Sequence, residues 1–93
     1  MFDRTLTEMR DKIRTRQYIM TLHAEEEKDD DDLSIFDVES CILSGGINER
    51  QRGENTGEWK YRIAGLSVGG DPMETIAKIS PTGKLVIITV YLL

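Results

Sequence analysis

Apolar positions recur along this chain with two different periods. Phe2, Leu6, Met9 and Ile13 fall at intervals of four, three and four, the stripe of an amphipathic helix. Arg4, Arg10, Lys12, Arg14 and Arg16 crowd the same segment. Residues 1–16 therefore read as a basic helix with a narrow buried face, packed as an outer layer or docked on a partner. Over residues 17–23 the period becomes two: Tyr18, Met20 and Leu22 alternate with Ile19, Thr21 and His23. Aromatic and β-branched content favours a strand there, with a helix continued from residue 13 as the competing reading. Residues 24–28 permit a short helix, which four consecutive aspartates then end by mutual repulsion. Ser34 fits an N-cap, with Asp37 completing a capping box. Ile35, Val38 and Ile42 make the next buried stripe, flanked by Phe36 and Cys41, and Gly45-Gly46 supplies a left-handed stop.

Beyond Gly46 the pattern is β. Residues 47–52 form a strand, and residues 53–57 a hairpin loop with glycines at its ends for positive φ. In residues 58–64, Trp59, Tyr61 and Ile63 alternate with Lys60 and Arg62, one apolar and one basic face. Gly65, Gly69-Gly70 and Asp71-Pro72 break the pattern. Residues 73–80 are the next strand and Pro81 opens a tight turn. Residues 84–93 are apolar on both faces, which places that strand centrally. The order predicts one α+β domain over residues 1–93, with helices packed on one face of a small antiparallel sheet.

Composition narrows the class. With 39% hydrophobic and 31% charged residues the chain suits a globular domain rather than a disordered one. A single cysteine, Cys41, excludes an internal disulfide and a paired-cysteine zinc site. The longest apolar run, residues 85–93, is too short to span a bilayer as a helix, and the charged start has no apolar signal core. A cytoplasmic protein is expected. Twelve Lys and Arg against seventeen Asp and Glu give a net charge of −5, which taken alone argues against nucleic acid. Residues 25–32, however, hold seven acids and one base; the remainder has 11 bases and 10 acids. The acidity is local, and a basic site elsewhere is permitted. The acidic run lacks the alternating ligands and central glycine of a calcium loop. With no glycine-rich phosphate loop or metal-ligand cluster either, neither cofactor nor metal is expected.

Several side chains are candidates for chemistry on RNA. Cutting RNA without a metal needs a base for the 2′-hydroxyl, cations for the charged phosphorane and a proton donor for the leaving oxygen. Lys60 and Arg62 point the same way from one strand, ~6–7 Å apart along it, a spacing that suits one phosphate or two neighbours. A solvated sheet face is the competing reading. Arg50 and Arg52 share a face of the partner strand and would widen that strip, unless they form a surface ladder with Glu49 or Glu58. Lys78 is a further cation, or simple edge protection. His23 is the only histidine, and its ordinary pKa near ~6.5 suits acid–base work, although a histidine at a strand end is more often structural. Tyr91 can donate from its hydroxyl, or can be a core residue of a central strand. Cys41 lies on a buried helical stripe.

Three stretches carry a resemblance. They are Tyr18-Ile19-Met20-Thr21-Leu22-His23-Ala24, then Leu33-Ser34-Ile35-Phe36-Asp37-Val38 through Gly45-Gly46, and Leu85-Val86-Ile87-Ile88-Thr89-Val90-Tyr91. From about residue 17 onward the chain resembles a small bacterial family described as a domain of unknown function. That family is similar in fold to the RelE and MqsR type of toxin, and its genes often neighbour a YgiT-type zinc-finger antitoxin similar to MqsA. The resemblance implies the toxin half of a type II toxin–antitoxin pair: a metal-independent ribonuclease that cuts mRNA, in some relatives on the ribosome. It also raises the weight of His23. The chain departs from the pattern after His23-Ala24, where relatives carry arginines and this sequence carries the acidic residues 25–32. That departure supports an alternative of another class, a catalytically silent protein-binding module of the same fold.

Overall fold

The computed structural model describes residues 2–53, 55 and 57–93. Its helices are α1 (Asp3–Arg14), α2 (Leu22–Asp30) and α3 (Ile35–Ser44). Its strands are β1 (Tyr18–Met20), β2 (Gly46–Arg52), β3 (Trp59–Leu66), β4 (Pro72–Ile79) and β5 (Leu85–Leu92). The strands form one sheet in the order β1-β5-β4-β3-β2. Pairing is antiparallel except between β1 and β5, which run parallel in the register Tyr18 to Leu85 and Met20 to Ile87. The sheet is therefore mixed, which corrects the expectation of a purely antiparallel one. Two helices and three strands separate β1 from β5, and β5 then enters beside β1 in the same direction. As its two apolar faces require, β5 is an inner strand.

One cluster unites the helices with one face of the sheet. Met9 and Ile13 of α1, Ala24 of α2, and Val38, Cys41 and Ile42 of α3 are buried against Tyr61, Ile63, Met73, Ala77, Leu85, Ile87 and Val90. The helical stripe of α1 is thus real but short. Arg10 of the same helix donates to the carbonyls of Gly45 (2.7 Å) and Ile42 (3.3 Å), satisfying the last turn of α3. The basic helix is an outer layer, and one of its cations has a structural task.

Local signals set the helix ends. In α3, Ser34 Oγ accepts from the Asp37 amide and the Asp37 carboxylate accepts from the Ser34 amide, the reciprocal box expected from the sequence. Helix α2 is capped by Thr21, whose hydroxyl accepts from the Ala24 amide. The expected strand over residues 17–23 accordingly stops at Met20. Both α1 and α2 end in a left-handed residue, Arg16 and Asp32, each at φ 58°. The amides of Gln17 and Leu33 reach back to the carbonyls of Lys12 and Lys28. Gly45, by contrast, is extended (φ −93°, ψ −171°) rather than the left-handed stop expected.

Glycine is required at residue 45 by closeness: a Cβ there would lie 2.3 Å from the Ala64 carbonyl oxygen. Gly65 is tighter still, its Cβ position 2.2 Å from the Cys41 carbonyl oxygen. Strand β3 therefore runs through Gly65 to Leu66 instead of breaking there, because the backbone of α3 rests directly on it. In the hairpin loop, Gly57 takes φ 68° as expected, whereas Gly53 is not among the positive-φ glycines. Met1, Glu54 and Thr56 of the expected first helix and loop lie outside the described residues. No described helix is long and apolar enough to cross a membrane.

Candidate functional site

The face of the sheet turned away from the helices is where most of the candidate residues meet. Cross-strand partners share a face. Arg62 pairs with Glu49 and Ile76, Lys60 with Gln51, and Glu74 with Ala64 and Tyr91. Lys78 lies on the same face, opposite Val86. Lys60, Arg62, Lys78 and Tyr91, drawn from three strands, thus occupy one open surface. Glu49, Gln51, Lys60, Arg62 and Ile76 line a depression of about 60 Å³ in it.

Its cations are unequally engaged. The Arg62 guanidinium donates to Glu49 at 2.7 Å and to the Asn48 side-chain oxygen at 3.2 Å. Lys78 Nζ lies 2.7 Å from a Glu58 carboxylate oxygen. Lys60 has no hydrogen bond or ion pair among the described residues. An arriving anion therefore meets Lys60 first and competes with Glu49 for Arg62. The Tyr91 hydroxyl donates to Glu74, which is buried. This bond, then burial, pushes the phenol above its ordinary pKa, while the positive charge of Arg62 pulls it the other way. Tyr91 is consequently a neutral proton donor at physiological pH, held beside a guanidinium.

Arg50 and Arg52 do not widen this strip. Arg50 pairs with Tyr61 and Arg52 with Trp59, so both project to the helix-bearing face. The reason is hairpin length. The loop closes between Arg52 and Trp59, which sets Arg50 and Arg52 against the odd-numbered positions Tyr61 and Trp59 of β3, a register that shifts only beyond Glu49. The Arg50 guanidinium lies over the rings of Trp59 (4.0 Å to the centroid) and Phe2 (5.4 Å), and that of Arg52 over Trp59 (5.3 Å).

His23 is also elsewhere. It sits in the first turn of α2, not at a strand end, with Nε2 3.1 Å from Glu27 and its side chain 64% exposed. Among the described residues it makes no hydrogen bond or ion pair with Lys60, Arg62 or Tyr91. Cys41 is fully buried, accepts from the Thr75 hydroxyl, and has its thiol pushed up by burial, the reverse of a reactive cysteine. Among the described residues no group of three or more His, Cys, Asp or Glu is placed to hold a metal ion.

The acidic segment is not simply solvated. Strand β1 ends at Met20, leaving the outer edge of β5 unpaired beyond Ile87. There the Glu27 carboxylate accepts from the Val90 amide (3.3 Å) and Asp31 accepts from the Leu92 amide (2.9 Å). Two acids of the run thus take the place of a neighbouring strand.

Residues 20–92 match the family model described as Domain of unknown function (DUF4258). The chain belongs to this family. The match starts at the end of β1, so the DUF4258 domain proper comprises α2, α3 and the ladder β2 to β5, with α1 as an added layer. No curated protein and no solved structure matches the chain. Of the acids that engage the site's cations and phenol, Glu74 was missed by sequence reasoning, whereas Glu49 and Glu58 were considered only as partners of Arg50 and Arg52. The cross-strand register pairs Glu49 with Arg62 and Glu74 with Tyr91, and the approach of β3 to β4 brings Glu58 to Lys78.

Proposed function

We propose that this DUF4258 domain is the toxin of a type II toxin–antitoxin pair, a RelE/MqsR-like endoribonuclease that cuts mRNA in the cytoplasm. The observation that carries the reading is the convergence of Lys60, Arg62, Lys78 and Tyr91 on one open sheet face. In this mechanism the ribose 2′-oxygen attacks phosphorus and the bond to the 5′-oxygen breaks. Lys60 and Arg62 steady the charged phosphorane, and Lys78 holds a neighbouring phosphate once Glu58 yields it. The Tyr91 hydroxyl protonates the leaving 5′-oxygen, while water takes the 2′-hydroxyl proton. His23 has no step, because its contact is with Glu27. The partner is a YgiT/MqsA-like zinc-finger antitoxin that covers the face until it is removed.

The test is induced expression of the chain alone. Growth arrest that is relieved in the Lys60→Ala, Arg62→Ala double variant supports the reading. Undiminished toxicity of the double variant removes the site, and a harmless parent chain removes the toxin. A second reading, a catalytically silent protein-binding module, is favoured by one feature: Glu49 and Glu58 already occupy Arg62 and Lys78. A purified protein that binds the antitoxin yet leaves free and ribosome-bound mRNA intact would establish it.

A further inference from the structure

The opposite face of the same hairpin carries a second cluster. Trp59 is 36% exposed, and the guanidinium groups of Arg50 and Arg52 lie 4.0 Å and 5.3 Å from its ring centroid. Arg50 and Arg52 are both exposed, and neither has a carboxylate partner among the described residues. Beside them a hollow of about 260 Å³ opens between α1 and the sheet, with Trp59 and Tyr61 as its aromatic walls and Thr5 and Glu8 on its rim. We propose that Trp59, Arg50 and Arg52 form a stacking site for single-stranded RNA, so that a strand held by Lys60 and Arg62 continues over the β2 edge onto them.

Three arguments support it. An aromatic ring among guanidinium planes stacks any base, and the same guanidinium groups neutralise the flanking phosphates. The hollow separates these two tasks: its aromatic walls suit a base, and Glu8 accepts from base amino groups while turning phosphate toward the arginines. Finally, β2 is an outermost strand, so one extended polymer can touch both faces around its edge. Arg50 and Arg52 project to one side and Gln51 to the other, beside Lys60.

The net charge of −5 does not oppose this. Glu27 and Asp31 of the acidic run sit against the outer edge of β5, in line with β1 and at the other end of the sheet from β2. Four strand spacings are about 19 Å, some two Debye lengths at physiological salt. The acidic run is thus held away from the β2 end, where Arg50, Arg52, Lys60 and Arg62 lie.

The inference rests on the ribonuclease reading only for the identity of the polymer. Its test uses the full chain and a 2′-O-methyl RNA decamer, which lacks the attacking hydroxyl and cannot be cut. Trp59 is the single tryptophan, so its emission reports on this site alone. Saturable quenching of that emission is expected at low salt. The Arg50→Gln, Arg52→Gln double variant should bind at least tenfold more weakly, and its slope of log affinity against log salt should flatten by about 1.4, the value for two lost phosphate contacts. With an end-labelled decamer read by anisotropy, Trp59→Leu should bind about tenfold more weakly, whereas Trp59→Phe, which keeps a ring, should lose little. Thermal melts establish that each variant is folded; the arginine variant alters exposed side chains only. Binding without a change in Trp59 emission overturns the site, as does unchanged affinity in the arginine variant, or no binding at all. A protein that cuts mRNA while Trp59 stays silent refutes this inference alone. A protein that cuts nothing while Trp59 is quenched refutes the ribonuclease and leaves the stacking site standing.

Discussion

Glu27 should stabilise the fold although it sits in a run of acids that looks dispensable. Its carboxylate accepts from the Val90 amide at 3.3 Å, where β5 has outrun β1 and has no strand beside it. The Val90 side chain is fully buried, so its backbone cannot move out to water without opening the core. Glu27→Ala removes the acceptor. A hydrogen bond to a charged group contributes about 1.5–3 kcal/mol, and the long distance and partial exposure place this one near 1 kcal/mol. In a domain of this size that corresponds to roughly 4–8 °C in melting temperature. Urea unfolding should show a lower midpoint at unchanged slope, and amide exchange at Val90 should accelerate selectively. Two controls separate the hydrogen bond from charge and helix propensity. Glu26→Ala, at an exposed neighbouring position, should stay within about 0.5 kcal/mol of the parent. Glu27→Gln keeps an acceptor oxygen and should lose less than Glu27→Ala. If Glu27→Ala and Glu26→Ala behave alike, or if Val90 exchange is unaltered, the carboxylate does not substitute for a strand.

Two further outcomes follow from the packing of α3. Gly65→Ala should lower stability by about 1–3 kcal/mol in urea, since its methyl group would meet the Cys41 carbonyl oxygen at 2.2 Å. Gly46→Ala, with nothing within 4 Å of the new carbon, is the matched control, and equal effects at both sites would refute the close approach. Asp37 accepts from the amides of Ser34 (2.8 Å) and Val68 (3.0 Å), and these bonds hold its pKa below the ordinary carboxylate value. A lowered folded-state pKa contributes stability that is present above the unfolded value near ~3.9 and is lost as pH falls through the folded one. Asp37→Asn should therefore remove part of the acid-range slope of stability; an identical slope would show that the bonds carry no net energy.

What the sequence made legible was local. The stripe of α1, the box of Ser34 and Asp37, and the alternation of β3 each depend on residues a few positions apart. The parallel pairing of β1 with β5 depends on residues more than sixty positions apart, and nothing near Tyr18 encodes it. Helix α2 was blurred because it buries only Ala24 and so has no stripe to read. Gly65 looked like a breaker because its neighbour is a helix backbone remote in sequence. In the site, spacing alone was enough to put Lys60 beside Arg62. The side taken by Arg50 and Arg52 turned on hairpin length, and a difference of one residue would have reversed it.

The place of β5 also sets a timetable. It lies between β1 and β4, so while a chain is being synthesised, β1 and the edge of β4 wait without a neighbour until residues 85–92 have emerged from the ribosome. The same strand brings Tyr91 to the open face and provides the amides that α2 caps. Stability and the assembled surface therefore arrive together, after translation of this segment rather than during it. A product broken off ahead of residue 85 is left with two bare strand edges, a target for aggregation and proteolysis.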